Sequence, residues 1–122
     1  MSSPLKIMVV DDSSLTIKKL TVLLEELGHS VIQICQNGEE AVNKYHKIKP
    51  DLVTMDITMP ETNGIEATRK ILKQHISAKI IMVTSHGQEQ MVMDAIDAGA
   101  LGYVLKPFSK EKLQQTIESV FK

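Results

Sequence analysis

The chain is poor in aromatic residues: two tyrosines and two phenylalanines, with no tryptophan, make 3% of its 122 residues. Base-stacking nucleic-acid surfaces depend on such side chains, so that class is disfavoured. Positive charge is not in excess either. Fourteen Lys and Arg against fifteen Asp and Glu leave a net charge of -1, which favours neither a nucleic-acid backbone nor an anionic membrane surface as partner. The single cysteine, Cys35, excludes an internal disulfide. It closes the apolar run Val31-Ile32-Gln33-Ile34-Cys35 and reads as a buried, inert thiol, in keeping with a reducing compartment. No apolar run is long enough to cross a bilayer, and Met1-Ser2-Ser3-Pro4 lacks a charged and apolar leader pattern. A cytoplasmic protein is expected.

What is present is a globular balance, 43% apolar and 24% charged, enough for one core in one domain spanning residues 1–122. Mostly apolar runs at residues 5–10, 31–35, 52–55, 79–83 and 101–105 predict strands. Helical patterns separate them. Ile17, Leu20, Leu24 and Leu27 share one face, with Leu23 beside them, after a Ser13 or Ser14 cap and before a Gly28 stop. Asn37-Gly38 opens a helix with Ala41, Val42, Tyr45 and Ile48 inward, and Pro50 ends that connection. Residues 65–74 turn Ile71 and Leu72 inward. Residues 88–98, stopped at Gly99, present either Val92, Ala95 and Ile96 or Met93 and Ile96. Ser109 caps a last helix carrying Leu113, Ile117, Val120 and Phe121. Strict alternation of strand and helix predicts an α/β fold whose parallel sheet is covered on both faces, with right-handed crossovers.

Chemistry gathers at the strand ends. Asp11 and Asp12 follow the first strand, Asp56 the third, Thr84 the fourth and Lys106 the last. In an open α/β sheet these ends share one rim, where ligands bind. Alone, Asp12 is a helix cap and Lys106 a solvated lysine; together they form a constellation. Clustered carboxylates repel one another unless a cation sits among them, and a hard, oxygen-liganded ion such as Mg²⁺ meets that need. A carboxylate can act as a nucleophile and form an aspartyl phosphate. A divalent ion and a lysine would neutralise the transferring phosphoryl group, and Thr84 can donate a hydrogen bond to one of its oxygens.

These residues resemble a two-component response-regulator receiver domain from end to end, most closely the stand-alone chemotaxis-type receivers. The matching motifs are Val9-Val10-Asp11-Asp12-Ser13, Met55-Asp56-Ile57-Thr58-Met59-Pro60 with Asn63-Gly64, Val83-Thr84-Ser85, Ala98-Gly99-Ala100 with Gly102-Tyr103, and Lys106-Pro107-Phe108. The resemblance implies a flavodoxin-like (βα)5 three-layer sandwich with strand order 2-1-3-4-5. It implies that Asp56 accepts phosphate and that Asp12 holds Mg²⁺ or Mn²⁺ directly, with Asp11 acting largely through water. Asp56 and the Thr58 backbone carbonyl complete the metal set. It makes Lys106 the phosphate-pairing lysine, Thr84 the switch hydroxyl and Tyr103 the switch aromatic. Val92 and Tyr103 then belong to the face that a target protein reads, and a cis Lys106–Pro107 bond is expected. A sensor histidine kinase is the implied donor. The expected assembly is a monomer, with dimerisation on activation as the alternative. Ser85 stands where the family commonly has Ala and is still small. Thr58 and His86 occupy positions that tune dephosphorylation, and His86 reads equally well as a solvated loop histidine. His29, His46 and His75 call for no special role.

The expected function is thus a phospho-signalling switch without a built-in output domain, in chemotaxis or as a phosphate sink or phosphorelay intermediate. A dehalogenase-type phosphatase needs a second carboxylate two residues after the nucleophile, where this chain has Thr58. A nucleotide or flavin module needs glycines after the first strand, where this chain has Asp11-Asp12-Ser13-Ser14. An unphosphorylated scaffold leaves the complete acid site without a purpose.

Overall fold

The computed structural model describes residues 3–59 and 63–122. Pro60, with which the motif after Asp56 ends, lies outside them. Strands β1 (Lys6–Val10), β2 (Ser30–Cys35), β3 (Leu52–Met55), β4 (Ile80–Thr84) and β5 (Gly102–Leu105) alternate with helices α1 (Ser14–Glu26), α2 (Gly38–Ile48), α3 (Gly64–Gln74), α4 (Glu89–Asp97) and α5 (Lys110–Val120). Every strand pairing is parallel, in the order β2-β1-β3-β4-β5. This is the flavodoxin-like arrangement expected from the sequence.

The two faces of the sheet explain why the central strands read as unbroken apolar runs. Met8, Val10, Val53, Met55, Ile80 and Met82 point to one side, onto Tyr45 of α2, Ile71 of α3 and Ala95 of α4. Ile7, Val9, Leu52, Ile81, Val83 and Val104 point to the other, onto Leu20 and Leu24 of α1 and Leu113 and Ile117 of α5. Consecutive residues go to opposite faces, as the period of two in a strand requires. Among the described residues no helix is long and apolar enough to cross a membrane.

β2 departs from the expected double coverage. Ile32 and Ile34 are 42% and 41% exposed, because β2 is the edge strand. Ile7 faces Val31 but Met8 faces Gln33, leaving Ile32 as an extra residue. Such a bulge makes an edge a poor template for another chain. Cys35 at the end of β2 is fully buried. Burial, with the Glu40 carboxylate beside it, pushes its thiol up to about 12, which fits the inert reading. His29, given no role from sequence, is buried, and its Nδ1 accepts the Leu5 N–H at 3.0 Å.

Four helices start on a side-chain cap, from Ser13, Asn37, Asn63 and Ser109, each satisfying an N–H that the first turn would otherwise leave bare. α4 is the exception, since Gln88 makes no such bond. Its inner face also corrects the sequence reading. Both stripes proposed there included Ile96, which is 56% exposed, and Met93 is 50% exposed. Ala95, a member of the first stripe, does face the core, together with Met91 and Ala98, which belong to neither stripe. At the start of α3, Gly64 donates its N–H to the Ile57 carbonyl at 2.8 Å. A Cβ on Gly64 would stand 1.9 Å from the Asp56 carbonyl oxygen, so only glycine permits this approach.

Candidate functional site

Asp11, Asp12, Asp56, Thr84 and Lys106 all arrive at the carboxyl end of the sheet. The backbone sets their spacing. The Asp56 N–H reaches the Val10 carbonyl at 2.9 Å, and the Lys106 N–H reaches the Thr84 carbonyl at 2.8 Å. One carboxylate oxygen from each of Asp11, Asp12 and Asp56 lies within 4.8 Å of the others. Lys106 Nζ stands 2.9 Å from Asp11 Oδ2 and 3.7 Å from Asp56 Oδ1. That contact joins residues 95 positions apart. The other Asp11 oxygen, Oδ1, accepts the Ser13 N–H at 2.8 Å, and Asp56 Oδ1 accepts the Ile57 N–H at 2.9 Å. Asp11 is buried while Asp12 is exposed, so the cluster opens to solvent on the Asp12 side. The Lys106–Pro107 peptide is cis, as the resemblance implies.

Burial raises the Asp56 pKa above the ordinary carboxylate value, and the nearby Asp11 charge raises it further. The Lys106 ammonium, the Ile57 N–H and the Thr84 hydroxyl pull the other way without cancelling the shift. Three acids against one ammonium therefore leave uncompensated negative charge in a partly buried place. The donors are all oxygens, the ligand class of a hard divalent cation. Charge and donor type thus both fit Mg²⁺ or Mn²⁺.

A second group of contacts surrounds the β4–α4 loop. Thr84 is fully buried at the end of β4, and its Oγ1 accepts the His86 N–H at 3.3 Å. The Tyr103 hydroxyl donates to the His86 carbonyl, while the Tyr103 ring packs on the core cluster beneath α2, α3 and α4. The backbone of His86 is therefore held at one end by Thr84 and at the other by Tyr103. Its imidazole Nε2 contacts the Thr58 hydroxyl, bridging the loops after β3 and β4. His86 is half-buried, so it is not simply a solvated loop residue. Nothing in the sequence points to this contact, which joins residues 28 apart through two loops. Val92 is half-buried on α4. Met91 packs inward, and Met93, Ile96, Leu101 and Leu105 are the exposed large apolar residues of the α4–β5 segment.

A family model described as the response regulator receiver domain matches residues 7–118. The chain is 42% identical to the chemotaxis protein CheY of Thermotoga maritima, over 96% of this chain and 98% of that one. It is likewise 42% identical to CheY of Bacillus subtilis, over 92% and 93% of the two chains. Among solved structures, a chain of the CheX–CheY–BeF3–Mg²⁺ complex from Borrelia burgdorferi superposes with a TM-score of 0.93 at 39% identity, covering 98% of this chain and 90% of that one. The response regulator domain of Thermotoga maritima CheB gives a TM-score of 0.87 at 30% identity, covering 98% of each chain.

Proposed function

Since the chain belongs to the response-regulator receiver family, we propose that Asp56 accepts a phosphoryl group and that this sets the state of the β4–α4–β5 surface. The observation carrying the proposal is the meeting of three carboxylate oxygens within 4.8 Å beside a lysine that pairs with two of those acids. Asp56 Oδ attacks the phosphorus of a phosphohistidine on a sensor kinase. The N–P bond breaks as the O–P bond forms, and the imidazole leaves with the electron pair. Asp11, Asp12, Asp56 and the Thr58 carbonyl would hold Mg²⁺ or Mn²⁺, which when bound offsets charge on the phosphoryl oxygens. Lys106 supplies the chain's own positive charge there, and its contact with Asp11 keeps the ammonium aimed at the rim.

Thr84 turns the reaction into a signal. Drawn toward a phosphoryl oxygen to donate its proton, the Thr84 hydroxyl oxygen moves away from the His86 N–H that it accepts. The loop then shifts, and Tyr103, tied to the carbonyl of the same residue, shifts with it. Phosphate thus biases a conformational equilibrium rather than creating a new fold. Val92 and Tyr103 lie on the surface whose shape changes, and a target protein reads it there. The match to the Thermotoga maritima chemotaxis protein CheY runs over 98% of that protein's length. The name of that relative supports a role in chemotaxis.

Incubation with acetyl phosphate and Mg²⁺, followed by intact-mass measurement, tests the assignment. Wild type is expected to gain one phosphoryl group and Asp56→Asn none. Full incorporation into Asp56→Asn would remove Asp56 from the reaction.

A further inference from the structure

The end of the sheet opposite the acid rim carries a second cluster of ligating groups, which the phosphoryl chemistry does not use. His46 lies in the last turn of α2, and His75 caps the C-terminus of α3. His46 Nδ1 and His75 Nε2 are 3.4 Å apart. The rings are tilted by 44°, so they meet through nitrogens and not as a stack. Buried Tyr45 packs on the His75 ring at 5.1 Å between centroids and limits its rotation.

We propose that His46 and His75 form a binding site for a borderline divalent transition metal, Zn²⁺, Ni²⁺ or Cu²⁺. Two nitrogens each bonded to one tetrahedral ion at about 2.0–2.1 Å are about 3.3–3.4 Å apart, the separation seen here. In the metal-free protein the same two nitrogens share an N–H···N hydrogen bond, which a bound ion would replace. Imidazole pairs without thiolates select this class of ion, whereas hard Mg²⁺ stays with oxygen donors. Both histidines sit at helix C-termini, where unpaired carbonyls favour a cation. His75 lines a neighbouring cleft with Lys49, Asp51 and Lys79, and a cleft of about 550 Å³ on the His46 side is lined by Val42, Asn43, His46, Lys47 and Gln74. It leaves room for water to complete the coordination, with amide groups to hold that water. Lys47 opposes the cation and keeps the affinity modest. A bound ion would clip the ends of α2 and α3 together.

Titration calorimetry with NiCl₂ or ZnCl₂ in a large excess of Mg²⁺, which competes at the acid rim, tests the site, and titration of Asp12→Asn identifies any heat that comes from the rim. One equivalent is expected to bind wild type. His46→Ala and His75→Ala are each expected to weaken binding by more than about tenfold, and Asp12→Asn to leave it intact. With Cu²⁺, the electron paramagnetic spectrum should show coupling to nitrogen that either histidine variant changes. Retained far-ultraviolet circular dichroism identifies folded variants, and His46→Gln serves if His46→Ala is unfolded. Absence of Mg²⁺-resistant binding, or binding unchanged in both histidine variants, would overturn the proposal.

Discussion

Asp56 carries an electrostatic cost that can be measured apart from its chemistry. Its pKa in the fold lies above the ordinary value of 3.8 because burial and Asp11 disfavour the charge. The native state therefore holds a proton that the unfolded chain has already lost in the window between the two values. Stability falls as pH rises through that window, and the full cost applies above it. Asp56→Asn should then be more stable than wild type at pH 7, by on the order of 1 kcal/mol, with the gain disappearing below pH 3.8. Urea melts at neutral and acid pH check this, and equal midpoints at pH 7 would contradict it. His29 behaves in the opposite sense at higher pH. Burial lowers its pKa below 6.5, and its Nδ1 is occupied as an acceptor. The unfolded chain takes up the proton first, so stability is lost as pH falls below 6.5. His29→Asn, which can still accept the Leu5 N–H, should flatten that slope in thermal melts between pH 7 and pH 5.

Among the elements, α3 is built around the backbone of Asp56, and its first residue tolerates no side chain. Gly64→Ala should cost more than about 2 kcal/mol in urea unfolding, because the added carbon meets a carbonyl oxygen. Gly28→Ala is a useful contrast. Gly28 has φ +93° with nothing near its missing Cβ, so it should cost only about 1–2 kcal/mol from the left-handed backbone. Most elements were legible in the sequence, since β1, β3 and β4 are covered on both faces and keep their apolar runs intact. α4 was less so. Its inner residues are Met91, Ala95 and Ala98, and two small alanines leave no strong periodic mark. β2 misled for the reverse reason, because isoleucine at an edge resembles isoleucine in a core.

At the scale of the whole molecule, the site draws on four strand ends. The meeting of Asp11, Asp12, Asp56 and Lys106 was legible because strand order alone brings strand ends together. The Thr58–His86 contact and the His46–His75 pair were not, since loop paths and helix ends decide them. If Thr84 relays phosphate to the output surface, beryllofluoride with Mg²⁺ should shift the amide resonances of Tyr103 and Leu105 in wild type. In Thr84→Ala the shifts should remain confined to the acid rim, and equal shifts at Tyr103 would place the relay elsewhere. The uneven anchoring of the helices has one more consequence. α4 is nine residues long, buries only Ala95 within its span and starts without a side-chain cap, whereas β1, β3 and β4 are buried almost throughout. Deuterium from solvent should therefore enter the α4 amides first and those central strands last. The helix that follows Thr84 and His86 is thus the one that opens with the least work, and the strands that hold the acids are the ones that resist longest.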